Sequence, residues 1–209
     1  MEVNVDESGL RGTLRTPQGP GPFPAVLALG GSDGGTPEYF SSLLVESGFA
    51  CLALVYWGTR DTQMTFTDIP LERVERGLRW LATQPSVKTN DGRIALIGAS
   101  RDEQGQLPAA PAFPSLVGPV VAYTPSCVAW VGINMSLPPG TAGSSWSYEG
   151  QPLPYLSFPR DAFPVQTDRG LSLLPTHEAA LADVEAVSRA AIAVERACGS
   201  WPSTAARAT

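Results

Sequence analysis

The stretch Arg93-Ile94-Ala95-Leu96-Ile97-Gly98-Ala99-Ser100-Arg101 sets the reading of the whole chain. An apolar run of strand length ends in small residues and a serine. This is the outline of a nucleophile elbow, where a strand turns sharply into a helix and holds a serine hydroxyl above the sheet edge. Gly98 lets neighbouring backbone pass close, Ala99 keeps the turn uncrowded, and the Arg101 N–H would face a developing oxyanion. Asp102 stands where the pattern has its second glycine. A buried parallel strand that merely ends in a serine turn fits the same residues, so both readings stay open here.

Upstream, Gly9 to Thr16 reads as a hairpin or edge strands, and Ala25-Val26-Leu27-Ala28-Leu29 as a buried parallel strand. That run ends in Gly30-Gly31-Ser32-Asp33-Gly34-Gly35, after which Thr36 is placed to cap a helix and Pro37 to open it. The helix is expected over 37–47, stopped by Gly48, with a second buried strand over 49–56. Asp68 is expected to begin the next helix, whose Leu71, Val74, Leu78 and Leu81 make one apolar stripe. Strands at 93–98 and 118–123 and a helix near 177–190 complete the pattern. Strands alternating with helices predict an α/β fold with a doubly wound, mostly parallel sheet. Ligands bind such sheets at the carboxyl ends of the strands. Both the glycine loop and Ser100 fall there. The loop lacks GxGxxG spacing and a Walker lysine, so its better role is the other half of an oxyanion hole, through the N–H of Gly31 or Ser32. A turn whose glycines only permit tight packing is the alternative.

The bulk properties exclude several classes. The 209 residues suit a single domain, and 43% hydrophobic with 16% charged residues fits a globular chain. A net charge of −6 argues against nucleic acid or an anionic membrane as partner. No apolar stretch reaches spanning length and no basic, apolar leader opens the chain, so a cytoplasmic location is expected. Cys51, Cys127 and Cys198 share no metal or redox spacing, and no cofactor or metal is expected.

Beyond these patterns, several segments resemble one family: Pro22-Phe23-Pro24-Ala25-Val26 through Gly35, Ser47-Gly48-Phe49-Ala50, Leu54-Val55-Tyr56-Trp57-Gly58 and Gly98-Ala99-Ser100-Arg101. Val120 to Tyr123, Tyr148 to Pro154 and Ile192 to Arg196 extend the match over most of the chain. The resemblance is to the catalytic domain of bile-acid-CoA:amino-acid N-acyltransferases and acyl-CoA thioesterases, which is similar to dienelactone hydrolases. It implies an α/β-hydrolase fold, a Ser (or Cys) nucleophile, and a CoA thioester as substrate.

The departures lie after Ser100. Pro108 and Pro111 cannot sit in a helix interior without cost, so any helix there is expected to be short, frayed before Pro108. The segment after Glu195 resembles the part of the family's sequence that comes just past its triad acid, so a shortened member is expected, missing its C-terminal strands. An uncovered sheet edge would then invite a homodimer. His177 is the single histidine. A triad can be drawn formally from Ser100, Asp161 or Asp168, and His177. The resemblance, however, puts His177 in a region the family uses as an insertion, so His177 is expected to lie too far from Ser100 to hydrogen-bond it. Twelve of the twenty prolines fall between Pro108 and Pro175 among aromatic residues, a stretch expected to be loop and lid around an apolar pocket. Two functions remain. One is a serine hydrolase or acyltransferase acting on acyl-CoA. The other is a hydrolase-like protein, impaired or inactive, that binds an acyl ligand or a partner.

Overall fold

Every residue from Ala25 to Leu29 and from Ala50 to Val55 is buried, which requires cover on both faces of the sheet. In a computed structural model that describes residues 2–7, 9–31, 34–60, 62–99, 103–123, 125–138, 140–162 and 164–192, both runs are central strands. The chain opens with a hairpin, β1 (Glu2–Glu7) and β2 (Leu10–Arg15), followed by β3 (Phe23–Leu29), α1 (Glu38–Glu46) and β4 (Ala50–Val55). Next come β5 (Ile69–Pro70), α2 (Glu72–Ala82), β6 (Val87–Lys88), β7 (Ile94–Ala99), α3 (Glu103–Ala112) and β8 (Val117–Tyr123). The main sheet has the order β1-β2-β4-β3-β7-β8, with β6 pairing to the start of β3. The four strands β4, β3, β7 and β8 are parallel, and β2 joins β4 antiparallel. This is an α/β sheet, mostly parallel. All four strands lie where the alternation predicts them.

Strand periodicity divides the core between two helical layers. Leu27, Leu29, Leu52, Leu54 and Leu96 face Val74, Leu78 and Leu81 of α2, Ala109 of α3 and Phe113 just after it. Val26, Ala28, Cys51 and Ile97 face Phe40 of α1 on the other side. Gly77 brings α2 against the sheet, since a Cβ there would lie 2.8 Å from Leu27 Cδ1. Burying each leucine of this layer contributes ~1.5–3 kcal/mol.

Beyond Tyr123 the chain forms β9 (Trp146–Tyr148), β10 (Gln151–Pro152), β11 (Val165–Thr167), β12 (Gly170–Ser172), α4 (Leu174–Leu181) and α5 (Val184–Ala190). Strands β10, β9 and β5 make a second small sheet. Its anchor is Trp146, fully buried, stacked on Tyr56 at 5.3 Å and edge-on to Phe66 at 5.7 Å. Val128, Trp130, Leu156, Ala180 and Ala190 form a separate satellite cluster under α4 and α5.

Four expectations are corrected. The helix after Ser100 does not fray before Pro108; α3 runs for ten residues through Pro108 and Pro111 to Ala112. Each proline removes one helical hydrogen bond, but Gly105, Ala109 and Ala110 are buried on this helix and hold it by packing. The second correction is at Asp68, which adopts φ +46 and starts no helix. Its N–H donates to the Ser144 carbonyl at 2.8 Å, and Ile69 and Pro70 pair with Trp146 and Ser147 instead, so α2 begins at Glu72. Third, Thr36 gives α1 no side-chain cap; Pro37 occupies that position. Fourth, the helix expected over 177–190 is two helices, because Asp183 caps a new one by accepting from the Ala186 N–H at 2.9 Å. Leu181 and Val184, on either side of the break, are both exposed. The expected lack of a strand after Glu195 falls outside the described residues.

A Cβ at Gly105 would lie 2.3 Å from the Trp146 ring. Gly105→Ala is therefore expected to lower the urea midpoint with an unchanged m-value, a loss of ~1–3 kcal/mol from overpacking. A helix-propensity gain outweighing the clash would raise the midpoint instead.

Candidate active site

Parallel register carries β3 and β7 to a common edge. Val26, Leu27 and Ala28 lie opposite Ala95, Leu96 and Ile97. Strand β3 ends at Leu29, directly before Gly30 and Gly31, and β7 ends at Ala99, one residue before Ser100. Of the residues singled out from sequence, Gly31 and His177 are described, whereas Ser32, Ser100 and Arg101 lie outside the described residues.

The glycine loop is held from the neighbouring strand. The Tyr56 hydroxyl donates to the Gly30 carbonyl at 3.1 Å. The Gly34 N–H donates to the Gly31 carbonyl at 3.1 Å, and the Gly35 N–H to the Trp57 carbonyl at 3.2 Å. Gly31 itself is buried, and among the described residues nothing accepts its N–H. Gly34 and Gly58 both have positive φ, +68 and +81, and their backbones touch: a Cβ on Gly58 would lie 2.9 Å from Gly34 Cα. The sequence reading assigns no role to Tyr56 or Gly58. Their signal is a tyrosine and a glycine directly after a buried strand, beside the strand that feeds the loop.

His177 is in α4, within the satellite cluster. Its ring meets Trp130 edge-on at 4.7 Å and Phe158 at 5.0 Å. Its Nδ1 lies 2.8 Å from the Leu173 carbonyl, so Nδ1 carries the proton and Nε2 is the accepting nitrogen of the neutral ring. No carboxylate bonds to His177 among the described residues, and both Asp161 and Asp168 are exposed.

Two further features bear on chemistry. An apolar groove of about 300 Å³ opens between α3 and the segment after β9, lined by Leu71, Pro108, Pro111, Tyr148, Leu153 and Pro154. The prolines that weaken α3 thus form one of its walls. Cys51 is buried, with the Ser41 hydroxyl 3.7 Å from its sulfur. Burial pushes this thiol from 9.0 to about 11, so it is protonated at neutral pH and a poor nucleophile. The described residues contain no group of three or more metal-ligating side chains and no helix long and apolar enough to cross a membrane.

Gly58→Ala is expected to destabilise the fold by ~1–3 kcal/mol, because an L-residue is strained at this φ and its Cβ meets backbone; thermal melts read the loss. Iodoacetamide at pH 8 is expected to modify the exposed Cys127 and leave Cys51 intact, as mapped by peptide mass. The stability that buried, protonated Cys51 contributes is full below 9.0 and is lost as pH rises through about 11. In alkaline melts Cys51→Ala should flatten that decline.

No protein-family profile matches the chain. It is 44% identical over 85 residues to the bile acid-CoA:amino acid N-acyltransferase of Mus musculus, covering 41% of this chain and 20% of that protein. To the mitochondrial acyl-coenzyme A thioesterase 2 of Mus musculus it is 31% identical over 181 residues, covering 87% of this chain and 37% of that protein. The chain thus spans between a fifth and just over a third of these relatives. Among solved structures, the dienelactone hydrolase of Anabaena variabilis ATCC 29413 superposes with a TM-score of 0.44 at 22% identity, covering 58% of this chain and 62% of that one. By sequence, the chain is a homologue of the acyl-coenzyme A thioesterases over most of its length and of the bile acid-CoA:amino acid N-acyltransferases over 41% of it.

Proposed function

We propose that the chain carries the nucleophile side of a thioester-cleaving site of the acyl-CoA thioesterase or N-acyltransferase type. The observation that carries this is the pairing of β3 with β7, which brings the Gly30–Gly31 loop to the edge where β7 ends before Ser100. The Ser100 hydroxyl attacks the thioester carbonyl, and its proton passes to a base. The tetrahedral oxyanion takes the N–H of Gly31 or Ser32 and that of Arg101. The carbon–sulfur bond then breaks and the thiolate leaves, needing little protonation because a thiol is far more acidic than an alcohol. The acyl group on Ser100 passes to water or to an amine. The apolar groove beside α3 suits the acyl chain.

His177 is the base the chain offers. Its tautomer supports that role, since Nε2 is left to accept a proton. One observation favours the second reading, a hydrolase-like protein that binds an acyl ligand without turning it over. The Nδ1–H is taken by a backbone carbonyl, where a triad would place a carboxylate.

A fluorophosphonate probe followed by peptide mapping tests the assignment. Label on Ser100, absent in Ser100→Ala together with acyl-CoA turnover, is expected. The rate expected is low, ~10³–10⁴ over water, as for oxyanion stabilisation without a complete triad. A further fall of ~10²–10⁴ in His177→Ala would assign proton transfer to His177. Acyl-CoA binding with no label on Ser100 and no turnover would favour the second reading.

A further inference from the structure

Two arginines one helical turn apart, Arg73 and Arg76, line a cleft of about 240 Å³ against Gly9, Leu10, Val55 and Thr62. The cleft sits at the carboxyl edge of the main sheet. Strand β4 ends there at Val55, antiparallel β2 begins opposite it (Arg11 pairs with Val55), and α2 starts at the same edge. The Arg76 guanidinium reaches the β1–β2 turn, where a Cβ on Gly9 would lie 3.5 Å from its Nη1.

Among the described residues no carboxylate pairs with either charge. Arg73 donates to the Tyr56 carbonyl and, at 3.3 Å, to Gln63 Oε1, both neutral acceptors. Arg76 has no hydrogen bond or ion pair among the described residues. Among the described acids, Glu72 accepts from the Glu149 N–H through Oε1, Glu75 pairs with Arg79, and Asp6 pairs with Arg11. No carboxylate lines the cleft among the described residues. Burial, and next the charge of Arg76, lower the Arg73 pKa from its ordinary value. The part-buried Arg73 and the exposed Arg76 repel one another across the cleft, and an anion seated between them relieves that repulsion. Guanidinium groups bind phosphate oxygens in bidentate fashion, and each of these has donors left for one.

We propose that this cleft is a phosphate site and, resting on the acyl-CoA reading above, that it takes the phosphorylated nucleotide end of coenzyme A. The geometry suits one substrate bridging both places. Strand β4 lies two positions from β7, so strand spacing puts the cleft roughly 10–15 Å along the edge from the end of β7. The pantetheine arm of coenzyme A spans that interval between the thioester and the nucleotide phosphates.

Calorimetric titration of the intact chain with coenzyme A, adenosine 3′,5′-bisphosphate and inorganic phosphate tests this without requiring turnover. Both nucleotides are expected to bind, Arg76→Glu to weaken each by ~10-fold or more, and Arg76→Lys to weaken them less. Arg79→Glu, on the same helix but outside the cleft, controls for general loss of positive charge. Nucleotide binding that survives Arg76→Glu overturns the site. Inorganic phosphate binding as tightly as coenzyme A overturns the coenzyme assignment. If Ser100 proves unreactive while nucleotide binding still depends on Arg76, the catalytic reading fails and the phosphate site stands.

Discussion

The candidate active site depends on β3 and β7 lying side by side and parallel in the middle of the sheet. Two parallel strands that pair in register must end at the same edge. The interior of the pair is aliphatic on both faces, with α2 and α3 covering one side and α1 the other. A slip of one residue would exchange Leu27 and Leu96 for Val26, Ala28 and Ile97 across the sheet. Large and small side chains are apportioned differently to the two layers, so the register is fixed by volume as well as by hydrogen bonding.

The part after β8 is tied to this sheet through aromatic packing more than through strands. Its strands near the sheet are two or three residues long, but Trp146 sits fully buried among Tyr56, Phe66 and the backbone of Gly105. Rings in offset and edge-on contact add to the burial energy of each. The same contact explains why α3 persists through two prolines. A helix that forgoes hydrogen bonds of its own must be held by tertiary contacts, and Gly105 lets a tryptophan close on it where any other residue would hold it away.

The legible parts of the sequence are those whose interactions are local. The central strands and α1 and α2 are written in short-range pattern: unbroken apolar runs, one helical stripe, a glycine stop at Gly48. The hairpin at the first edge is equally plain. The failures arise where a distant partner overrules a local signal. Asp68 and Pro70 look like a helix start but are captured by the strand at Trp146, far along the chain. Pro108 and Pro111 look like helix breakers but are outweighed by packing from the same strand. In the candidate site, the glycine loop and the end of β7 are readable as motifs. The residues that brace the loop, Tyr56 and Gly58, are readable only as part of the family-like segment Leu54 to Gly58, which attaches no role to them. His177 is readable only as a lone histidine, since its aromatic neighbours Trp130 and Phe158 come from separate stretches of chain.

Tyr56 shows how few contacts join the separate parts. It is the first residue beyond β4 and almost wholly buried. Its hydroxyl bonds the Gly30 carbonyl, its own carbonyl accepts from Arg73, and its ring stacks on Trp146. One side chain and one peptide group therefore touch the glycine loop, the arginine cleft and the anchor of the later segment. A buried hydroxyl left without its acceptor costs about 1–3 kcal/mol, so the loop cannot shift at Gly30 without either breaking that bond or moving the ring. Moving the ring disturbs the Trp146 stack, and shifting the peptide disturbs Arg73. The positions of loop, cleft and insertion are thus mutually constrained through a residue outside the candidate catalytic set.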